Sequence, residues 1–398
     1  MSLTILATTD VHGYFPLEPN TGTGVFALNT LKETFDQPIL IDNGDFLIGS
    51  PFATYLNEKF EQPLMDFANE LGYDVMVPGN HDFDYGLPFL LKQVAAFKGD
   101  YVCANALTLT DDLLFKPYTI IERHGKKVGI IGLVTGAMPQ LTAFENIRDL
   151  KFRNVIETLN EWLPIVRKQA DLVIVSYHGG IEKDMVTHAD TQYDTGEDQA
   201  HRILASFPNQ IDGLICGHQH RRNQGHTYGA AFVQPGFRGQ VIGELTFTFD
   251  GSTPTASQTN LLDSETFPAN HWTLTNPADY HTWLSQSFNQ APFEAYLNRY
   301  FAEKHYLVEF KGTTIQALQE TFAGIYPFLR YHLTGQELLD SLAKSTSEHS
   351  ISQLPQPIDP EADYQVLTNS TAFPAYRVEQ QYIDNVFDGY LRFLDKRN

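Results

Sequence analysis

Cysteine is almost absent from this sequence, which has only Cys103 and Cys216 among its 398 residues. Both lie in apolar segments, Tyr101-Val102-Cys103-Ala104 and Leu214-Ile215-Cys216-Gly217. We therefore expect two small core side chains rather than a disulfide, and no secretory redox chemistry is implied.

Positive charge is also scarce, since 27 Lys and Arg residues face 48 Asp and Glu residues, which gives a net charge of −21. A chain this acidic is repelled by a long polyanion, so we expect no nucleic acid polymer and no anionic membrane surface among its partners. Small phosphorylated molecules are not excluded, because metal ions in a site can reverse the local field.

Long hydrophobic runs are missing as well. No stretch of about 18 apolar residues occurs, so no segment is predicted to span a membrane. No leader precedes the first predicted strand, which begins at Leu3. We therefore expect a cytoplasmic protein, or an exported one if the N-terminus was trimmed.

Apolar residues are otherwise plentiful, at 42% of the chain, and aromatic residues reach 13%. Short apolar runs alternate with amphipathic stretches in the first half, a pattern typical of an α/β layered domain. We predict domains at 1–255 and 268–398, separated by a Ser-, Thr-, Pro- and Asn-rich linker at 256–267. The second is predicted to be a smaller α+β unit.

Clusters of Asp, His and Asn follow the predicted strands of the first domain at the point where each strand ends. In open α/β sheets, the carboxyl ends of strands form the active site, so these side chains are expected to converge. A helix is predicted at Thr195–Phe207, between the last two of them. The clusters are Asp10-Val11-His12, Asp42-Asn43-Gly44-Asp45, Asn80-His81-Asp82, His178 and His218-Gln219-His220.

The types of donor in these clusters indicate metal binding. Carboxylate, imidazole and amide donors without a thiolate suit Mn²⁺, Zn²⁺, Fe or Mg²⁺. The donors are too many for one tetrahedral ion, whereas two ions bridged by a carboxylate would use them. Two such ions can clamp a phosphate and generate hydroxide at neutral pH.

The same clusters resemble the signature of calcineurin-like metallophosphoesterases. The longer phrases Thr8-Thr9-Asp10-Val11-His12-Gly13 and Gly79-Asn80-His81-Asp82-Phe83-Asp84-Tyr85-Gly86 are similar to the 5′-nucleotidase branch, and within it to the 2′,3′-cyclic-nucleotide 2′-phosphodiesterase/3′-nucleotidase subgroup. The resemblance runs from about Leu3 to Phe249 and implies a four-layer α/β/β/α sandwich with two sheets face to face. It is partial in the second domain, which would be a shortened nucleotidase C-terminal domain.

The resemblance also implies a role for each residue of the clusters. Asp45 would bridge two divalent ions of manganese, zinc or iron, and Asp42 would be a turn residue. His81 would be the catalytic histidine, charged and oriented by Asp84, with Asp82 as the competitor for that role. The turn Gly236-Phe237-Arg238-Gly239 would border the site. The remaining ligands would be Asp10, His12 and His220 for the first ion and Asn80, His178 and His218 for the second.

The second domain departs from the family's nucleotide pocket, since the arginine and double-glycine segments expected there are missing. Aromatic side chains could still stack on a base and arginines could contact phosphate or ribose, although a core position is an open alternative for each. The candidates for substrate binding are Phe328, Arg330, Tyr331, Phe373, Tyr376 and Arg377.

The leading hypothesis is therefore an enzyme, a dinuclear-metal phosphoester hydrolase acting on nucleotides, of the 5′-nucleotidase or 2′,3′-cyclic-nucleotide phosphodiesterase/3′-nucleotidase type. One alternative keeps the chemistry but changes the substrate to another small phosphoester or phosphodiester, such as a sugar-nucleotide or a coenzyme. A second alternative is a non-catalytic module that binds metal and nucleotide.

Overall fold

The computed structural model describes most of the chain in ranges that leave gaps between them. The described ranges are 2–16, 23–59, 63–192, 195–251, 253–268, 277–287, 293–297, 305–322, 328–344, 349–354, 356–370, 372–373 and 378–382. Within these ranges, no helix combines the length and the apolar character needed to cross a bilayer. The chain divides into two compact units, Met1–Leu274 and Thr275–Asn398.

The first unit contains most of the strands. They are β1 (Ser2–Thr8), β2 (Ile39–Asp42), β3 (Val75–Met76), β4 (Asp100–Tyr101), β5 (Ala106–Thr108), β6 (Tyr118–Arg123), β7 (Lys126–Val134), β8 (Leu150–Phe152), β9 (Leu172–His178), β10 (Gly213–Cys216), β11 (Arg222–Thr227), β12 (Ala230–Pro235), β13 (Val241–Asp250) and β14 (Thr253–Asp263).

The helices of this unit lie mostly between its strands. They are α1 (Ala27–Thr34), α2 (Pro51–Lys59), α3 (Pro63–Leu71), α4 (Leu87–Ala96), α5 (Met138–Leu141), α6 (Phe144–Ile147), α7 (Val155–Arg167) and α8 (Ala200–Ser206). The helix predicted from Thr195 is wrong at its start, because α8 begins only at Ala200.

Two six-stranded sheets form the centre of the first unit. Their strand orders are β14-β13-β1-β2-β3-β4 and β11-β12-β10-β9-β7-β6. The central neighbours β1, β2 and β3 run parallel in one sheet, as do β7, β9, β10 and β12 in the other. Parallel strands end at the same edge, so each sheet presents its loops together.

The two sheets pack face to face. Apolar side chains from both, such as Ile5 and Ile41 on one and Ile174 and Ile215 on the other, form a single buried cluster. The opposite face of the second sheet packs against α7 and α8 through residues such as Leu159 and Ile203. Cys216 is buried in that outer cluster, and both cysteines are free thiols. The predicted sandwich is confirmed.

The structure differs from the linker predicted at 256–267. Residues Thr253–Asp263 form β14, which pairs with β13 in antiparallel register along its whole length. A short 3₁₀ turn follows at Ser264–Thr266, capped by the carboxylate of Asp263. These residues therefore belong to the first sheet rather than to a connection between units.

The second unit has one five-stranded sheet with the order β17-β15-β18-β16-β19. Its apolar core includes Leu307, Leu333, Leu338 and Val366. The elements are α9 (Pro277–Leu284), β15 (Tyr306–Phe310), α10 (Ile315–Thr321), β16 (Phe328–Thr334), α11 (Gly335–Lys344), β17 (His349–Gln353), β18 (Asp363–Thr368) and β19 (Val378–Tyr382).

Candidate metal centre

The predicted ligands lie where the parallel strands of both sheets end. The first sheet contributes Asp10 and His12 after β1, Asp45 after β2 and Asn80 after β3. The second sheet contributes His178 at the end of β9, and His218 and His220 after β10. The loops after β1 and β2 are joined by backbone hydrogen bonds, from Asp10 N–H to Gly44 O and from His12 N–H to Asp45 O. The structure therefore brings together residues that are far apart in the sequence.

One group of donors consists of Asp10, His12 and His220, whose ligand atoms all lie within 4.8 Å of one another. The Nε2 atoms of His12 and His220 are 3.2 Å apart. His220 Nε2 lies 3.4 Å from Asp10 Oδ1. These are the three residues predicted for the first ion.

A second group consists of Asp45, His178 and His218, again with ligand atoms within 4.8 Å of one another. His178 Nε2 lies 3.2 Å from Asp45 Oδ2 and 3.2 Å from Asn80 Oδ1. Asp45 Oδ2 is also 3.8 Å from His12 Nε2, in the first group. Asp45 therefore lies between the two groups, the position predicted for a bridging carboxylate.

The donor cluster is buried and attracts positive charge. Asp10, Asp45 and His178 are at most 1% exposed. Burial opposes ionisation, but the neighbouring His178 and His81 hold the pKa of Asp45 well below its usual range. Burial likewise opposes protonation of His178, yet the carboxylates of Asp45 and Asp10 raise its pKa to about 9. This field suits cations, and the Asp, His and Asn donors fit a binuclear metal site.

Two of the ligand imidazoles are oriented by backbone carbonyls. His12 Nδ1 donates to Ile48 O and His178 Nδ1 donates to Asn43 O, both at 2.7 Å. Each bond turns the Nε2 atom toward the cluster, which is the usual way that a second hydrogen bond orients a metal-binding imidazole. Burial lowers the pKa of His12 to about 4, which keeps this ring neutral and able to bind a cation.

The backbone is strained at several of the predicted ligands. Positive φ angles, which non-glycine residues adopt rarely and at a cost of order 1 kcal/mol or more each, occur at five of them. The five are Asp10 (52°), His12 (53°), Asp45 (56°), His218 (67°) and His220 (58°). Such sharp turns let residues that are adjacent or alternate in the sequence aim at one point.

Two glycines make room for the carboxylates. A Cβ atom at Gly79 would lie 2.1 Å from Asp45 Oδ1, and one at Gly217 would lie 2.0 Å from Thr9 Oγ1 and 2.7 Å from Asp10 Oδ2. Real Cβ atoms do not approach other atoms this closely. The Gly-Asn-His and Gly-His-x-His phrases therefore need glycine for a steric reason.

His81 lies beside the first group and is paired with Asp84. Its Nδ1 is 2.8 Å from Asp84 Oδ2, and its ring centroid is 5.5 Å from that of His12. Its backbone N–H donates to Asp45 Oδ1 at 2.8 Å. Burial opposes protonation of His81, but Asp84 and Asp45 outweigh it and raise the pKa to about 10.

Asp82 and Asp42 have structural contacts instead. The Asp82 carboxylate accepts backbone N–H groups from Gly79 at 2.8 Å and from Asp45 and Leu47 at 3.0 Å, so it ties two site loops together. Asp42 accepts from Thr8 Oγ1 at 2.6 Å and from Gly44 N–H at 3.1 Å within its turn. The carboxylate that faces His81 is therefore Asp84.

Sequence reasoning missed Glu197. Its Oε1 atom is 2.6 Å from Nε2 of the predicted ligand His218. The interval between Thr195 and Ala200, predicted as helix, is not helical, and this leaves Glu197 free to reach the site loop. The only signal in the sequence is an acidic pair, Glu197-Asp198, just before the helix.

The turn at Gly236–Gly239 does border the first group. Phe237 stacks on the His220 imidazole, with ring centroids 4.7 Å apart and planes 2° from parallel. Arg238 N–H donates to Asp10 O at 2.8 Å. Its guanidinium lies 3.9 Å from the centroid of the Tyr14 ring.

The structure of the second unit corrects the prediction that its aromatic side chains could stack on a base. Phe328, Tyr331 and Phe373 are 0%, 3% and 5% exposed, and Tyr331 packs on Phe373 in the apolar core. Buried rings offer no free face to a base. Arg330 lies on β16, opposite Gln380 of β19, and is half-buried. Tyr376 and Arg377 lie outside the described residues.

Comparison with known proteins supports the same chemistry. A family model described as calcineurin-like phosphoesterase matches residues 3–222. A 2′,3′-cyclic-nucleotide 2′-phosphodiesterase/3′-nucleotidase of Yersinia enterocolitica is 30% identical over 290 residues, which are 63% of this chain and 43% of that protein. The trifunctional nucleotide phosphoesterase protein YfkN of Bacillus subtilis is 27% identical over 355 residues, 76% of this chain and 24% of that protein. The chain thus spans less than half the length of these curated relatives.

A solved structure is similar over nearly the whole chain. The putative 5′-nucleotidase from Staphylococcus aureus superposes with a TM-score of 0.72 at 23% identity, and the match covers 99% of this chain and 97% of that one. At this identity the likeness concerns the fold, including the presence of a second C-terminal unit.

Proposed function

This chain belongs to the calcineurin-like phosphoesterase family, and from that premise we propose that it hydrolyses phosphate esters of nucleotides with two divalent metal ions. The observation that carries the proposal is the pair of buried donor groups, Asp10-His12-His220 and Asp45-His178-His218, at one edge of two packed sheets. The names of the curated relatives, a cyclic phosphodiesterase/nucleotidase and a nucleotide phosphoesterase, support the nucleotide as the substrate class.

Asp10, His12 and His220 would hold one ion, and Asn80, His178 and His218 the other, with Asp45 shared. Manganese, zinc or iron suits this set of carboxylate, imidazole and amide donors. When bound, the two ions supply positive charge to the phosphate and activate water at neutral pH.

His81 and Asp84 would handle the proton of the leaving group. The 2.8 Å bond from His81 Nδ1 to Asp84 Oδ2 fixes the ring and leaves Nε2 to face a substrate. A proton held on Nε2 can pass to the departing alkoxide oxygen, and the same N–H can stabilise the charge that develops there. Asp84 orients the imidazole and favours its charged form.

The local charge fits a small anionic substrate despite the net charge of −21. Two divalent ions carry twice the charge of the Asp10 and Asp45 carboxylates together. The site would therefore be cationic on an acidic protein, and a substrate small enough to enter it would feel the site rather than the outer surface.

A substrate panel tests the proposal. The purified protein is reconstituted separately with Mn²⁺, Zn²⁺ and Fe²⁺ and assayed with 5′-, 3′- and 2′,3′-cyclic nucleotides, a sugar-nucleotide and an aryl phosphate. We expect metal-dependent release of phosphate or of the ring-opened monoester, with nucleotides preferred. Nucleotide binding without hydrolysis under every metal would indicate the non-catalytic module, and hydrolysis of the sugar-nucleotide alone would shift the substrate class.

A further inference from the structure

We propose that Glu197 is a positioning residue for the metal ligand His218, holding its ring so that Nδ1 faces the second ion. This inference rests on the proposed two-metal site. The Glu197 Oε1 atom lies 2.6 Å from His218 Nε2, and the two side chains are only 32% and 12% exposed. A short bond to an ionised acceptor is stronger than one to a neutral group.

Glu197, Asp198 and His218 also have ligand atoms within 4.8 Å of one another, but the separation of Glu197 Oε1 and His218 Nε2 is that of a hydrogen bond rather than of two ligands of one ion. Bonds of about 2.0–2.2 Å from a zinc-sized ion to a nitrogen and an oxygen set those atoms roughly 3 Å or more apart. At 2.6 Å, the Nε2 and Oε1 atoms share a proton instead. Nε2 of His218 is thereby occupied, and Nδ1 is the nitrogen that remains for the group formed with Asp45 and His178.

This arrangement differs from that of the other oriented ligands. His12 and His178 donate Nδ1–H to the neutral carbonyls of Ile48 and Asn43 and present Nε2. His218 has an anionic partner and presents the opposite nitrogen. A carboxylate partner raises the basicity of a metal-bound imidazole, and its loss costs about 10–100-fold in metal affinity or activity.

The segment that carries Glu197 is anchored to both ligand-bearing strand ends. The Glu197 carbonyl accepts from Thr135 Oγ1 at 2.6 Å and from Tyr177 OH at 3.0 Å, and Tyr177 precedes the ligand His178. The neighbouring Asp198 accepts from Gly180 N–H and from Gln219 Nε2, both at 2.7 Å. Glu197 is therefore held in place rather than free to leave His218.

Metal titration tests the role directly. Metal-free wild type, Glu197→Ala and Glu197→Gln are titrated with Mn²⁺ by calorimetry, with Asp190→Asn as control, an exposed carboxylate on the same loop that pairs with Lys183. We expect Glu197→Ala to weaken one of two binding steps by about 10–100-fold and to leave the other unchanged. Glu197→Gln, whose amide oxygen still accepts the N–H, should recover part of the loss.

Two results would overturn the inference. One is wild-type affinity for both ions in Glu197→Ala, and the other is an equal loss at both steps together with a lower melting temperature of the metal-free protein. Because the readout is metal affinity, a wild type that binds two ions but hydrolyses no ester would refute the proposed function and leave this inference standing.

A second, independent observation concerns Arg238, for which the geometry points to binding of the phosphate group of the substrate beside the first ion. This too rests on the proposed function. Its backbone N–H donates to Asp10 O, and Phe237 next to it stacks on His220, so Arg238 adjoins two ligands of that ion. A positive φ of 59° places it on a strained turn like those of the ligands.

Aromatic side chains fix the Arg238 guanidinium in place, but no carboxylate balances its positive charge among the residues that the structure describes. It lies over the Tyr14 ring at 3.9 Å and near the Phe237 ring at 4.9 Å, and donates to Tyr14 OH at 3.1 Å. Its Nε atom is buried without a hydrogen-bond partner, and no ion pair of this guanidinium with a carboxylate is found among the described residues. A planar guanidinium fixed by aromatic rings, with free N–H donors, is suited to phosphate oxygens.

Inhibition by inorganic phosphate tests this role. In the metal-loaded protein, we expect Arg238→Ala and Arg238→Lys to raise KM and the inhibition constant for phosphate about tenfold or more, since Lys lacks the fork and the stacking. Arg153→Gln, which removes a surface pair with Glu161, is the matched control. Unchanged phosphate inhibition in both Arg238 variants would overturn the assignment, even if wild type is an active hydrolase.

Discussion

Ile174 and His178 lie on the same strand, β9, and both are fully buried, yet their surroundings are opposite. Ile174 packs among aliphatic side chains of the two sheets, a generic contact that many apolar residues could make. His178 packs against Asp45 and Asn80, at 3.2 Å from each. Equal burial therefore has two meanings here, since Ile174 is stabilised by leaving water, whereas His178 is stabilised by the carboxylates of Asp45 and Asp10.

The same contrast extends to the backbone. Five predicted ligands have positive φ angles, whereas no residue of the apolar cluster between the sheets has one among the residues that the structure describes. Five of the twelve described non-glycine residues with positive φ are predicted ligands, and buried charge lies at the same edge, while the apolar interior supplies stability that offsets these costs. Substitutions at the edge and in the interior should accordingly affect different measurements.

Asp45→Asn should have the largest effect on activity of all these substitutions, and a much smaller effect on stability. We expect kcat to fall about a thousandfold or more, because the shared carboxylate is lost from both donor groups. The free energy of unfolding of the metal-free protein should fall only modestly, because the amide oxygen still accepts the His81 N–H, while the attraction of the carboxylate to His178 and His81 is lost. Steady-state kinetics and urea unfolding measure the two effects. Asp36→Asn, 87% exposed, is the control, and normal turnover in Asp45→Asn would contradict the site.

His81→Ala should reduce turnover of an alkyl phosphate about 100–10,000-fold, the range of general acid catalysis. A p-nitrophenyl ester should lose much less, because its leaving group needs no proton. Asp84→Asn should give the same pattern with a smaller loss. Comparing kcat on the two esters measures the difference, and equal losses on both would rule out proton donation by His81.

Gly79→Ala should damage both properties. The added Cβ would overlap Asp45 Oδ1, so metal affinity and kcat should fall about tenfold or more, and unfolding free energy by about 1–3 kcal/mol. Gly136→Ala is a matched control, since its nearest neighbour, Arg153 O, would lie 3.6 Å away. Calorimetric metal titration and thermal unfolding would check both, and equal behaviour of the two variants would argue against the steric role.

Ile5→Val should have the smallest effect and only on stability. Ile5 is fully buried between the sheets, and removal of one methylene should lower the unfolding free energy by about 1 kcal/mol. The kcat of the metal-loaded protein should be unchanged at temperatures where it is folded. Urea unfolding and an activity assay decide, and a large loss of kcat without a loss of stability would contradict the separation of the two regions.

Much of the fold and of the metal centre could be predicted from the sequence because strands of a sandwich end in recognisable ways. Buried strands are continuous apolar runs, and polar clusters such as Asn80-His81-Asp82 mark their ends. The strand Thr253–Asp263 does not follow this pattern, and the linker predicted there is wrong. It is an edge strand with many exposed residues, so its Thr, Ser and Asn content is typical of a linker even though it pairs in the sheet.

Side-chain neighbours were harder to predict. The sequence predicts Glu197 within a helix, whereas tertiary contacts such as the hydrogen bond from Ala200 N–H to Gly180 O start α8 only at Ala200 and leave Glu197 beside His218. For Phe328, Tyr331 and Phe373, the sequence contains no information that separates a buried ring from an exposed one. That distinction depends on how β16 packs in its sheet.

The first donor group has a consequence for the order of synthesis and folding. His12 and His220 are separated by 208 positions, so an ion held by both would be a removable link between the loop after β1 and the loop after β10. This link can form only after β10 and His220 have been synthesised. The supply of metal would then influence the stability of the folded first unit. Removing the ion should make it easier for its two sheets to separate.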